Sequence, residues 1–135
     1  INTKEIQMET VYEDDLPAVY ADREKIERVL TNLLDNAYKY TPDKGSIKLN
    51  AIKKKDQVQV CIIDNGPGIP EKDRRRIFER FAQVPEENVI RRGFGLGLAY
   101  CKLAIERHQG KIWVEDSEGE IGSSFCFTLP IIGTL

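Results

Sequence analysis

An apolar, β-rich run from Val58 to Ile63 empties into Asp64-Asn65-Gly66-Pro67-Gly68-Ile69-Pro70. A second glycine cluster, Gly93-Phe94-Gly95-Leu96-Gly97-Leu98, follows downstream. Glycine lets the backbone approach a ligand closely and adopt positive φ. Two such clusters, the first headed by a single carboxylate, point to a nucleotide pocket. The Asp64 carboxylate can accept a hydrogen bond from an exocyclic amine such as adenine N6. Neither cluster is a phosphate loop of the Gly-Lys-Ser/Thr type. Neither has the second acidic residue that a dinucleotide-binding βα turn requires.

The chain has 135 residues, enough for one domain with a real core and not for two. Its hydrophobic (41%) and charged (31%) fractions are those of a globular protein. A net charge of −2 argues against nucleic acid as a partner. No apolar run reaches the length of a membrane span. The start, Ile1-Asn2-Thr3-Lys4, has no signal-peptide pattern and no initiator Met, so a fragment of a longer chain is expected. Cys61, Cys101 and Cys126 are odd in number and widely spaced. That argues against zinc and against a disulfide framework, with a cytoplasmic, reducing compartment the simplest reading.

Residues 4–12 read as a strand and Pro17 to Tyr20 as a short second one. Asp22 reads as the N-cap of a helix that runs to about Tyr40. Ile26, Val29, Leu30, Leu33, Leu34 and Ala37 form its apolar stripe. Ser46 to Ile52 and Val58 to Ile63 form a hairpin with a charged tip, Lys53 to Gln57. Glu71 to Phe81 reads as a short helix opened by Pro70 at its first position. Residues 82–95 read as a mobile loop. A second long helix runs from about Leu96 to Gln109, stopped by Gly110. Lys111 to Asp116 and Ser124 to Leu129 close the domain as a hairpin. The sum is an α/β two-layer sandwich: a mixed, mostly antiparallel five-stranded sheet packed on about three helices.

On the first helix, Asn32, Asn36 and Lys39 share a sector of about 60° beside the apolar stripe. An amide oxygen is a hard ligand suited to Mg²⁺, and a lysine can neutralise phosphate as a point cation.

These residues, in this order, resemble the catalytic ATP-binding domain of two-component sensor histidine kinases, and the likeness spans the whole chain. Asn32 to Pro42 resembles the family's N box, Asp64 to Ile69 its G1 box, and Phe78-Glu79-Arg80-Phe81 its F box. Gly93 to Leu98 resembles the G2 box, and Gly122-Ser123-Ser124-Phe125 the last G box. The resemblance implies the Bergerat (GHKL) fold, with ATP and Mg²⁺ as cofactors. By this resemblance Asn36 is the Mg²⁺ ligand and Lys39 a phosphate contact. Asn32 orders water or the metal shell, Asp64 takes the adenine amino group, and Gly66, Gly68 and Ile69 line the base slot. Tyr40 packs on base or ribose, and Ser123 stands where the family commonly has Thr. Gly93, Gly95, Leu96, Gly97 and Leu98 bring backbone N–H groups to phosphate at a helix start. Residues 82–95 become the ATP lid, with Arg91 and Arg92 as phosphate contacts and Phe94 where Thr or Ser is usual.

The implied reaction transfers the γ-phosphoryl to a histidine on a separate dimerisation domain, whose helix and His-Glu/Asp signature are absent here. A response regulator is the implied further partner, and this domain alone is expected to be monomeric. The sole histidine, His108, reads as a helix C-terminal residue on the last carbonyls. Lys53 to Lys55 and Arg74 to Arg76 read as surface. The alternatives are another GHKL ATPase, an anti-sigma-factor-type serine kinase, or a docking module without catalysis. Hydrolytic GHKL enzymes carry a Glu base four residues before the metal-binding Asn, and here that position is Asn32.

Overall fold

The computed structural model describes residues 3–79, 97–117 and 121–132. Among these, strands β1 (Gln7–Tyr12), β2 (Ser46–Lys54), β3 (Gln57–Asp64), β4 (Ile112–Asp116) and β5 (Ser123–Pro130) form one sheet in the order β1-β2-β3-β5-β4. Only the β1–β2 pair is parallel. Parallel neighbours need a crossover, and helix α1 (Arg23–Tyr40) supplies it. Helix α2 (Gly97–Arg107) packs beside α1, so helices and sheet make the expected two-layer sandwich.

Helix α1 starts where its sequence says. Asp22 is extended, and its carboxylate accepts from the Lys25 N–H at 3.2 Å. That bond is the main reason its pKa lies below the ordinary carboxylate value. Val29, Leu33, Ala37 and Tyr40, spaced four, four and three apart, are buried. The helix stops at Thr41, whose hydroxyl and N–H both donate to the Ala37 carbonyl, and Pro42 cannot continue it. The α1 stripe meets Leu98, Cys101, Ala104 and Ile105 of α2. Ile47, Ile62, Val114, Phe125, Phe127 and Leu129 of the sheet complete the core.

Four local expectations are corrected. Pro17 to Tyr20 is not a strand: only Val19 makes a bridge, to Ile131, because Pro17 has no N–H to donate. Residues 71–78 form two 3₁₀ turns, Glu71–Asp73 and Arg76–Phe78, instead of one helix, and Pro70 caps the first from outside. Two turns bury Asp73, Ile77 and Phe78 from a segment too short for a helical stripe. At the end of α2 the left-handed residue is Gln109 (φ +62°), not Gly110. Gly110 is needed for another reason: a Cβ there would overlap the Thr128 carbonyl of β5. Finally, Cys61 and Cys126 face each other across β3 and β5 with Cα atoms 4.1 Å apart and are joined as a disulfide. Cys101 alone is free, and it is buried. Parity and spacing do not report cross-strand register, so the cysteine count carries no weight for the compartment. Among the described residues, no helix is long and apolar enough to cross a membrane.

Candidate nucleotide site

The end of the candidate site expected to meet the base is built where β3 stops and β5 starts. Asp64 closes β3 opposite Ser123, the first residue of β5, and is 2% exposed. Its Oδ1 accepts the Gly66 N–H at 2.9 Å, and its Oδ2 accepts the Ser123 hydroxyl at 3.0 Å. Its carbonyl accepts the Ser117 hydroxyl at 2.9 Å. A buried carboxylate is tolerable only when hydrogen-bonded in this way. The glycines are demanded by backbone crowding. Gly122 has φ +144°, and a Cβ there would overlap the Asp64 carbonyl. Gly68 has φ +80°, and its Cβ would lie 3.2 Å from the Gly122 carbonyl. Ile69, at 4% exposure, roots the loop in the core, and the Asn65 side chain accepts the Ser46 N–H at 2.9 Å.

The α1 end is less committed. Asn32 and Asn36 are half-buried, while Lys39 is exposed. Asn32 donates its amide N–H to the Gly97 carbonyl at 3.3 Å, tying α1 to the first residue of α2. The Asn36 amide nitrogen is buried with no hydrogen-bond partner among the described residues. Lys39 holds its ammonium 5.4 Å above the ring centre of Tyr40, which is buried. Leu98 is core. Behind this end, Cys101 leans on the Val29 carbonyl, and burial pushes its thiol up to about 11. Tyr40, Ile69 and Leu98 share one packed cluster, which links the two ends through the core. Arg91, Arg92, Gly93, Phe94, Gly95 and Leu96, and the 82–95 segment as a whole, lie outside the described residues.

The contacts of two residues escaped the sequence reading. Arg74 is largely covered and bonded, although its triplet reads as surface. His108 does cap α2, with Nδ1 2.7 Å from the Ala104 carbonyl, but its Nε2 also accepts the Asp22 N–H at 2.9 Å. The second bond joins the end of α2 to the start of α1.

Residues 21–132 match the family described as histidine kinase-, DNA gyrase B- and HSP90-like ATPases. The chain belongs to that family. Within it, the chain groups with sensor histidine kinases. It is 46% identical over 132 residues to the adaptive-response sensory kinase SasA of Synechococcus sp. (strain JA-2-3B'a(2-13)), covering 97% of this chain and 34% of SasA. The catalytic domain of histidine kinase ThkA, in a nucleotide-free form, superposes with TM-score 0.79 at 35% identity, covering 93% of this chain and 80% of that one. ThkA in complex with the response regulator protein TrrA gives TM-score 0.73 at 31% identity, covering 93% of this chain and 34% of that one. This histidine kinase ATPase domain therefore spans about a third of the length of the curated relative it matches. Its five-stranded mixed sheet is the fold of those catalytic domains, and nucleotide binding is the family's shared property.

Proposed function

We propose that the chain is the catalytic and ATP-binding domain of a longer sensor histidine kinase, and that it delivers the γ-phosphoryl of ATP to a histidine on a separate helical dimerisation domain. The observation that carries the reading is the Asp64 carboxylate. It is buried and already oriented by the Gly66 N–H and the Ser123 hydroxyl. A carboxylate so held accepts the adenine amino group without reorganising, beside the slot of Gly66, Gly68 and Ile69.

The phosphates run toward α1 and the start of α2. Asn36 offers an amide oxygen, a hard ligand of the kind magnesium takes, from a half-buried position on α1. Magnesium held there with the nucleotide supplies charge neutralisation of the phosphate oxygens. Lys39 adds a point cation from the exposed edge. Arg91, Arg92, Gly93, Gly95, Leu96 and Gly97 belong to the same reading as phosphate contacts. The transfer breaks the bond from the γ-phosphorus to the β,γ-bridging oxygen and forms a phosphorus–nitrogen bond to the imidazole. ADP leaves, and the imidazole proton passes to solvent or to a carboxylate of the acceptor domain. Neutral imidazole is itself a nucleophile, so this domain contributes positioning and charge stabilisation. Asn32 is a positioning residue: its amide takes no proton and is bonded to the Gly97 carbonyl, which disfavours direct hydrolysis. A response regulator, as in the ThkA–TrrA complex, is the proposed downstream partner.

The test is transfer of label from γ-labelled ATP, with magnesium, to a helical domain bearing the acceptor histidine. Wild-type transfer is expected to be acid-labile and histidine-linked. Asn36→Ala should abolish it, and normal transfer by that variant would refute the metal assignment.

A further inference from the structure

The loop from Asp64 to Ile69 is held at a third point. Arg74, just after the 3₁₀ turn Glu71–Asp73, folds back so that its Nε donates to the Ile69 carbonyl at 3.2 Å. Its outer nitrogen donates to the Asp116 carboxylate, at the end of β4, at 2.6 Å. Asp116 precedes Ser117, whose hydroxyl binds the Asp64 carbonyl. The contacts therefore close a ring: Asp64 to Gly66, along the loop to Ile69, across Arg74 to Asp116, and through Ser117 back to Asp64.

The geometry points to Arg74 and Asp116 as positioning residues that set the shape of the base slot before nucleotide arrives; this rests on the adenine reading of Asp64. Stability is not their main yield. The Asp116 side chain is 75% exposed, and such an ion pair adds little to folding. Arg74 is 24% exposed and spends two nitrogens on two different acceptors. Among the described residues, no other side chain bonds the Ile69 carbonyl. A loop ordered in advance spares the nucleotide the cost of ordering it. The guanidinium fork is what reaches both acceptors, and an ammonium on a flexible stem does not reproduce it.

The experiment is calorimetric titration of the chain with a non-hydrolysable ATP analogue and magnesium, alongside transfer rates at saturating ATP. Arg74→Ala should weaken binding about tenfold through lost pre-organisation, with unchanged stoichiometry and saturated rate. Arg74→Lys should stay close to Arg74→Ala. Asp116→Ala, at an exposed side chain that leaves folding intact, should weaken binding less. Because the two residues act as one strut, the double variant should bind no worse than Arg74→Ala. Wild-type affinity in Arg74→Ala, or additive losses in the double variant, would overturn the inference. A fall in stoichiometry at constant affinity would also overturn it, since that is the mark of a merely structural role. Asp64→Asn separates the two levels. Loss of binding there with wild-type binding in Arg74→Ala sinks the strut alone, whereas normal binding in Asp64→Asn sinks the adenine reading beneath it.

Discussion

The two ends of the site are made in opposite ways. At the base end, both oxygens of the Asp64 carboxylate and its carbonyl are bonded to the protein, and glycines at 68 and 122 let three backbone segments crowd together. At the α1 end, Asn36 keeps a buried amide nitrogen with no partner among the described residues, and Lys39 stands in solvent. The difference fits what the proposed function would bring to each end. A purine edge is flat and uncharged, and it is recognised by groups fixed in advance. A triphosphate with its cation brings charge and ligands of its own, so residues facing it are left with unused hydrogen-bonding capacity. The base end should therefore resist substitution through stability, and the α1 end through function.

The sharpest way to break that contrast is Gly122→Ala. A Cβ would overlap the Asp64 carbonyl at φ +144°, so a loss of about 3 kcal/mol or more is expected by urea unfolding. An unchanged unfolding midpoint would mean the base end is not crowded as described. Next comes Asn36→Ala, whose stability should stay within about 1 kcal/mol of wild type, because removing an unpaired buried donor offsets the lost packing. A large destabilisation would show Asn36 to be structural and erase the contrast. The smallest effect at neutral pH concerns Cys101, beneath the α1 end. Burial raises its thiol from an ordinary 9.0 to about 11. The folded state thus keeps a proton that the unfolded chain releases. This contribution is whole below pH 9 and is lost as pH rises from 9 to 11. Urea midpoints across that range should fall in wild type and fall less in Cys101→Ala.

What the sequence discloses follows the same division between local and distant causes. Helix α1 is legible at both ends, because Asp22 caps its first turn and Thr41-Pro42 ends its last. The hairpins are legible from β-rich runs and turn residues, and the tight turn at Gly66 to Gly68 from its glycines. The strut from Ile69 through Arg74 to Asp116 is not legible, since its partners stand five and 42 residues from Arg74 and only the fold brings them together. The Cys61–Cys126 pairing depends on the register of β3 against β5, which no count of cysteines encodes. His108 is read correctly as a cap, but its bond to Asp22 crosses 86 residues. The break of residues 71–78 into two turns is hidden because a Pro70 opening and a run of charged residues suit one short helix as well as two 3₁₀ turns.

The close passage of residues 68 and 122 sets a limit on how this domain can diversify. Two lengths of bare backbone slide past each other there, and one of them lies against the end of β3. A randomised library across that crossing would return hydroxyl residues at 123, where the buried Asp64 carboxylate needs a donor, but only glycine at 122. If the proposed adenine site is right, any redesign for a different base must therefore work through side chains around the crossing and leave the crossing itself intact.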